Sequence, residues 1–194
     1  MTLREDAQII MDKALAASLP DAAVEKALKN KKFGSGRIVV VSIGKAAWQM
    51  AKTTVALLGD RISGGIVITK YHHAKGALPP LEIYEAGHPV LDANSVAATA
   101  RAIDMVKDLG KDDTVLFLIS GGGSALFEKP LIPLSELQKI NSDLLSSGAD
   151  IVSMNTVRKR FSAVKGGKFA QICAPANVYA IVLSDIIGDP LDMI

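Results

Sequence analysis

The stretch TVLFLISGGGSA, residues 114–125, decides the fold. Six consecutive β-branched or apolar residues, Thr114 to Ile119, leave no polar face for water, so the segment reads as a strand buried on both sides. It runs directly into Ser120, three glycines and Ser124. Glycines placed after such a strand let backbone N–H groups come close to an anion with no side chain in the way. The hydroxyls of Ser120 and Ser124 add donors. A flexible hairpin loop is the competing reading, but a wholly apolar strand seldom leads into one.

The same pattern recurs on either side. Short β-branched runs stand at 38–43 (IVVVSI), 65–69 (GIVIT), 81–85 (LEIYE) and 178–183 (VYAIVL). The first and last of these are nearly as apolar as 114–119, which predicts that they too are buried on both faces. Helical spacing fills the intervals. Thr2 and Glu5 form a capping-box pair before an N-terminal helix. Further helices are predicted at 21–29, 46–58, 95–109, 134–147, 155–160 and 168–173, the fourth of them opened by Ser135 and Gln138 as a second capping box. Alternating strands and helices predict an α/β fold: an open, mostly parallel, Rossmann-like three-layer sheet with helices on both faces. After 178–183 comes only SDIIGDPLDMI. A ligand loop needs a second wall, so residues 1–194 read as a piece of a longer protein; a small α/β domain with a ragged C-terminal tail is the alternative.

Composition narrows the function classes. The 194 residues are 49% apolar and 22% charged, ordinary for a globular protein. Twenty-two Lys and Arg against 20 Asp and Glu leave a net charge of +2, which argues against a nucleic-acid binder driven by bulk charge. The one cysteine, Cys173, excludes an internal disulfide and a cysteine-rich metal site. No apolar run reaches the ~18 residues of a membrane span. The opening MTLREDAQII carries acids where a signal peptide needs a basic start, so the expected compartment is the cytosol and no membrane partner is expected.

In an open α/β sheet ligands bind beyond the carboxyl ends of the strands, so those loops are the places to read. After 38–43 come Gly44 and Lys45 at a helix start. Free N–H groups, the helix dipole and an ammonium make an anion site there; a tight turn with a solvated lysine is the alternative. The loop is not a Walker A motif, because Ala46 stands where Ser or Thr would hold magnesium. His72 and His73 follow the second strand, and adjacent side chains diverge too far to chelate. His88, in Gly87-His88-Pro89, either donates to a substrate oxygen or braces its loop. The segment NTVRKRFSAVKGGK, 155–168, gathers Arg158, Lys159, Arg160, Lys165 and Lys168. Its aromatic content, Phe161 alone with Phe169 just beyond, is thin for a single-strand nucleic-acid surface, and its cations suit a polyphosphate better. Asp185, Asp189 and Asp192 follow the last strand and suit magnesium, a proton acceptor, or plain turn capping. Together these groups are the assortment that phosphoryl transfer uses. A dinucleotide fingerprint is absent: Gly34-Ser35-Gly36 precedes the first strand and lacks the third glycine.

The motifs SIGKAAWQMA (42–51), EAGHPVLDANS (85–95), LISGGGSALFEKP (118–130), NTVRKRFSAVKGG (155–167) and SDIIGDPLDMI (184–194) resemble the N-terminal domain of the class II, MOFRL-type glycerate 2-kinase family, whose members are often named hydroxypyruvate reductases. The resemblance implies transfer of phosphate from ATP to the 2-hydroxyl of D-glycerate, giving 2-phosphoglycerate, with Mg2+. It implies a smaller C-terminal domain that completes the cleft, and near-inactivity of this portion alone. It also implies roles. Lys45 neutralises the transferred phosphoryl group. Ser120, Gly121, Gly122, Gly123 and Ser124 form the anion loop. Asn155, Arg158 and Lys159 bind nucleotide phosphate or the glycerate carboxylate. Asp189, then Asp185, hold magnesium or act as base. An NAD(P)H-dependent reductase and a non-catalytic anion-binding module are the alternatives.

Overall fold

The computed structural model describes residues 2–184. Strands β1 (Ile38–Ile43), β2 (Ile62–Lys70), β3 (Leu81–Ala86), β4 (Thr114–Ser120) and β5 (Asn177–Leu183) form a single sheet in the order β3-β2-β1-β4-β5. Every neighbouring pair is parallel, so the expected mostly parallel sheet is parallel throughout.

The period-2 alternation of the strands sends successive side chains to opposite faces. Val39, Val41, Ile43, Ile66, Ile68 and Val115 face one layer, built by α4 (Ala93–Val106) and α8 (Lys168–Cys173) through Ala98, Ala102, Val106, Phe169 and Cys173. Ile38, Val40, Val67, Leu116 and Leu118 face the other, built by α2 (Asp21–Leu28) and α3 (Ala47–Leu58) through Val24, Leu28, Ala47, Trp48 and Met50. This is the three-layer arrangement expected. Each fully buried aliphatic side chain contributes about 1.5–3 kcal/mol of transfer free energy, which favours this layering over any one-faced alternative. The N-terminal α1 (Leu3–Ser18) is capped as its sequence predicts: Glu5 N–H donates to Thr2 Oγ1 at 3.3 Å, and Thr2 N–H to Glu5 Oε2 at 2.7 Å.

Four expectations need correction. The fifth strand is not buried on both faces. Among the described residues β5 pairs only with β4, at the sheet edge, and Val178 and Val182 are each 37% exposed. An apolar run is equally compatible with an edge strand one face of which borders a hollow. Helix α4 begins at Ala93 rather than Ser95, because Asp92 is the cap: it accepts Ser95 N–H at 2.9 Å and Ser95 serves as the reciprocal third residue. The second capping box does not form. Pro133 precedes α6 (Leu134–Ser146) without a side-chain cap, and Gln138 instead donates to the Leu91 carbonyl at 2.9 Å. Helix α7 (Ile151–Arg160) starts a turn earlier than predicted, capped by Asp150, which accepts Ser153 N–H at 3.0 Å.

Candidate active site

From β1 the chain steps outward to β2 and β3, then returns to lay β4 against the other side of β1. Strand order therefore reverses between β1 and β4, where open α/β sheets take their ligands. Ile43 pairs with Ile119 across this line, so the loops after both strands meet.

Gly44 is required at the meeting point. Its φ is +112°, and a Cβ there would collide with the carbonyl and hydroxyl oxygens of Ser120. The three N–H groups of this turn all bond to protein. Gly44 donates to Ile68 O at 3.1 Å, Lys45 to Gly121 O at 2.9 Å, and Ala46 to Ser120 Oγ at 3.1 Å. Ser120 Oγ in turn donates to Ile43 O at 3.2 Å, and Thr69 Oγ1 to Gly44 O at 3.0 Å. The N–H groups of Gly44, Lys45 and Ala46 are thus not available to an anion, and the hydroxyl of Ser120 serves the turn. What Lys45 offers is its side chain.

The triple glycine differs. It does not form a hairpin: Gly123–Leu126 winds into the short helix α5. Among the described residues, the N–H groups of Gly122, Gly123 and Ser124 meet no protein acceptor. Gly122 has φ +90°, and a Cβ on it would stand 2.9 Å from His88 Nε2 and 3.2 Å from Lys45 Cγ. Lys45, His88 and Gly122 therefore converge at one spot. Burial, then the positive charges of Lys45, Lys70 and His73, push the His88 imidazole below its ordinary value, which favours the neutral ring.

The glycine loop forms one wall of a hollow of about 510 Å³, a size typical of small-molecule sites. Ser120, Gly121, Gly122, Gly123 and Ser124 lie on that wall, and Asn155, Arg158 and Lys159 of α7 lie across from it with Lys165, Gly166 and Gly167. Phe117, Ile119, Val178 and Val182 give it an apolar floor. Arg158 donates to Asn155 Oδ1 at 3.4 Å, and burial lowers its pKa against the pull of Glu128. Lys45 borders instead a second hollow of about 380 Å³, with Trp48, Gln49, His72, His73 and Lys75. So Lys45 stands where the glycine loop meets the smaller, basic hollow.

Other sequence candidates separate. His73 Nδ1 lies 3.1 Å from the Lys45 carbonyl, a bracing contact in the second hollow. Asp92 is structural: besides capping α4 it accepts the Tyr71 hydroxyl at 2.7 Å. Asp185, Asp189 and Asp192 lie outside the described residues. Among the described residues no group of three or more His, Cys, Asp or Glu side chains gathers to hold a metal ion. Burial pushes the Cys173 thiol up to about 11, which disfavours the reactive thiolate. Sequence reasoning missed Glu128, a 4% exposed carboxylate that carries the ammonium of Lys165. Its only sequence signal was a lone acid directly after the apolar Leu126-Phe127 pair.

A family model described as Domain of unknown function (DUF4147) matches residues 6–194. A Thermotoga maritima protein named D-glycerate 2-kinase is 50% identical over 195 residues, covering 100% of this chain and 46% of its own length. A relative from Agrobacterium vitis, 42% identical over 97% of this chain and 43% of its own length, carries a provisional hydroxypyruvate reductase name. The crystal structure of the Thermotoga maritima glycerate kinase superposes with a TM-score of 0.89 at 49% identity, covering 99% of this chain and 46% of that one. The chain spans about half the length of the curated relatives it matches.

Proposed function

We propose, since this chain belongs to the DUF4147 family, that the protein transfers the γ-phosphoryl group of ATP to the 2-hydroxyl of D-glycerate. The hydroxyl oxygen attacks the γ-phosphorus while its proton passes to the base, the bond from that phosphorus to the β–γ bridging oxygen breaks, and ADP and 2-phosphoglycerate result. The observation that carries the reading is the convergence of Lys45, His88 and the open N–H groups of the glycine loop at the strand-order reversal.

In this reading the larger hollow takes the nucleotide. Its apolar floor suits adenine, while Asn155, Arg158 and Lys159 face the phosphates. The glycine loop cradles them, since backbone donors fixed in place need no reorganisation as charge develops. Lys45, at the border of the smaller hollow, neutralises the phosphoryl group in flight and faces an acceptor held there. The cations of that hollow suit the glycerate carboxylate. Asp189 and Asp185 remain the residues proposed for magnesium or for the base. They lie outside the described residues. Residues 1–194 are proposed to form the N-terminal domain, with a second domain closing the cleft, in the cytosol; alone they turn over slowly, because an open cleft cannot exclude water.

The test is product identification. Incubation of the full-length protein with ATP and D-glycerate, followed by 31P NMR, is expected to give the 2-phosphate ester. The 3-phosphate ester as product would refute the regiochemistry, and no ester would refute the kinase. The reductase reading, which the Agrobacterium vitis name favours, predicts loss of NADH absorbance with hydroxypyruvate instead.

A further inference from the structure

The segment after α5 and the segment after α7 are tied together away from the glycine loop. Leu131 N–H donates to Phe161 O at 2.8 Å, and Ala163 N–H to Lys129 O at 2.8 Å. Pro130 and Ser162 form an antiparallel bridge. The tie brings Glu128 to Lys165, 37 residues apart in the chain. Both are deeply placed, with side chains 5% and 15% exposed. Lys165 Nζ donates to Glu128 Oε2 and, at 3.3 Å, to Phe127 O. The Glu128 backbone is itself pinned, its N–H donating to buried Thr99 Oγ1 at 2.9 Å. Glu128 Oε1 is buried with no partner among the described residues, and the carboxylate's charge acts on Lys165 and Arg158.

Lys165 is on the wall of the larger hollow, and Glu128 is not. We propose that Lys165 is an anion-binding residue of this hollow and that Glu128 is its positioning residue, holding the ammonium in place and charged. The proposal rests on the reading that the hollow takes a nucleotide. Its electrostatics are specific. Burial favours the neutral amine and the Arg158 guanidinium opposes a second positive charge, while Glu128 favours the ammonium through both charge and hydrogen bond. Lys159, whose stem lies against Gly166, and Lys168, bonded to the carbonyls of Lys159 and Ser162, are the other cations of the surrounding turn. Among these described residues Glu128 carries the one negative charge, and without it Lys165 would be the desolvated cation able to lose its proton.

The test is calorimetric titration of ADP, and separately of inorganic pyrophosphate, into the full-length protein across alkaline pH. Lys165→Met should weaken both by about tenfold, the loss of one charge-assisted contact. In Glu128→Gln, affinity should fall with rising pH at a midpoint about one unit or more below that of the unaltered protein. In the Lys165→Met background, Glu128→Gln should move no midpoint. A general structural role for Glu128 would shift affinity but would not depend on Lys165. An unshifted midpoint in Glu128→Gln, or the same shift without Lys165, overturns the proposal. Should Glu128→Gln not fold, Glu128→Asp replaces it. It keeps the charge but withdraws it by one methylene, and is expected to keep the midpoint and weaken ADP severalfold; unchanged affinity overturns positioning. Pyrophosphate binding that needs Lys165, without ADP binding, would refute the nucleotide reading and leave this proposal standing. Binding of neither refutes both.

Discussion

The amide of Lys45 donates to the carbonyl of Gly121 at 2.9 Å. Through that bond the loop that presents the candidate catalytic cation and the loop that presents the open N–H groups are one rigid unit. Preorganisation of this kind is what lets donors act on developing charge without first being ordered.

Ser120 completes the same stitch, accepting from Ala46 N–H and donating to Ile43 O. Ser120→Ala leaves the Ala46 donor without its partner in a partly buried turn. A loss of about 1–3 kcal/mol of folding stability is expected, read as a lower urea midpoint with unchanged slope. A variant as stable as the parent would show that the stitch contributes nothing.

His88 lies against Gly122 and near Lys45. Burial first, then the charges of Lys45, Lys70 and His73, lower its pKa. Its histidine NMR signal should therefore titrate below the ordinary ~6.5, and Lys45→Ala should move the midpoint upward by removing one opposing charge. Because the folded value lies below the unfolded one, the contribution to stability is present above about pH 6.5 and is lost as pH falls. A midpoint at or above the ordinary value would contradict the crowding of positive charge at this spot.

Asp113 anchors the start of β1 from below. It accepts Arg37 N–H at 2.8 Å and the Arg37 guanidinium at 2.7 Å. The side-chain bond to Arg37, then backbone donors from Gly110 and Arg37, bring its pKa from 3.8 to about 2. A depressed carboxylate stabilises the fold above its unfolded value and ceases to do so as pH falls from about 4 toward about 2. Asp113→Asn should lower the melting temperature at neutral pH and flatten its decline over that acid window. An acid decline identical to the parent's would place the sensitivity elsewhere.

The parts of this molecule legible in sequence are those set by local rules. The strand at Thr114–Ile119 read correctly because burial leaves a run with no polar position, and the loop after it is no hairpin, with Gly122 in a positive-φ conformation that favours glycine. Thr2 and Glu5 read correctly because a capping box is closed within four residues. The misreadings are tertiary. Ser135 and Gln138 have capping spacing, but Gln138 finds a carbonyl at Leu91, 47 residues away. The run 178–183 looks as buried as Ile38–Ile43, yet among the described residues it pairs on one side only. Lys165 was one cation among five until the bridge between Pro130 and Ser162 placed Glu128 beneath it. That Lys45 adjoins one hollow while the glycine loop lines another was equally beyond periodicity, which fixes loops but not the space between them.

Lys45 is the residue proposed to act on the transferred phosphoryl group. The most direct test of that role is the steady-state turnover of ATP and D-glycerate by full-length Lys45→Ala, with folding checked by circular dichroism. Loss of an electrostatic group that acts in the transition state is expected to lower kcat by about 10²–10³, with little change in the spectrum. Turnover within a few-fold of the parent, in a folded variant, would contradict the claim.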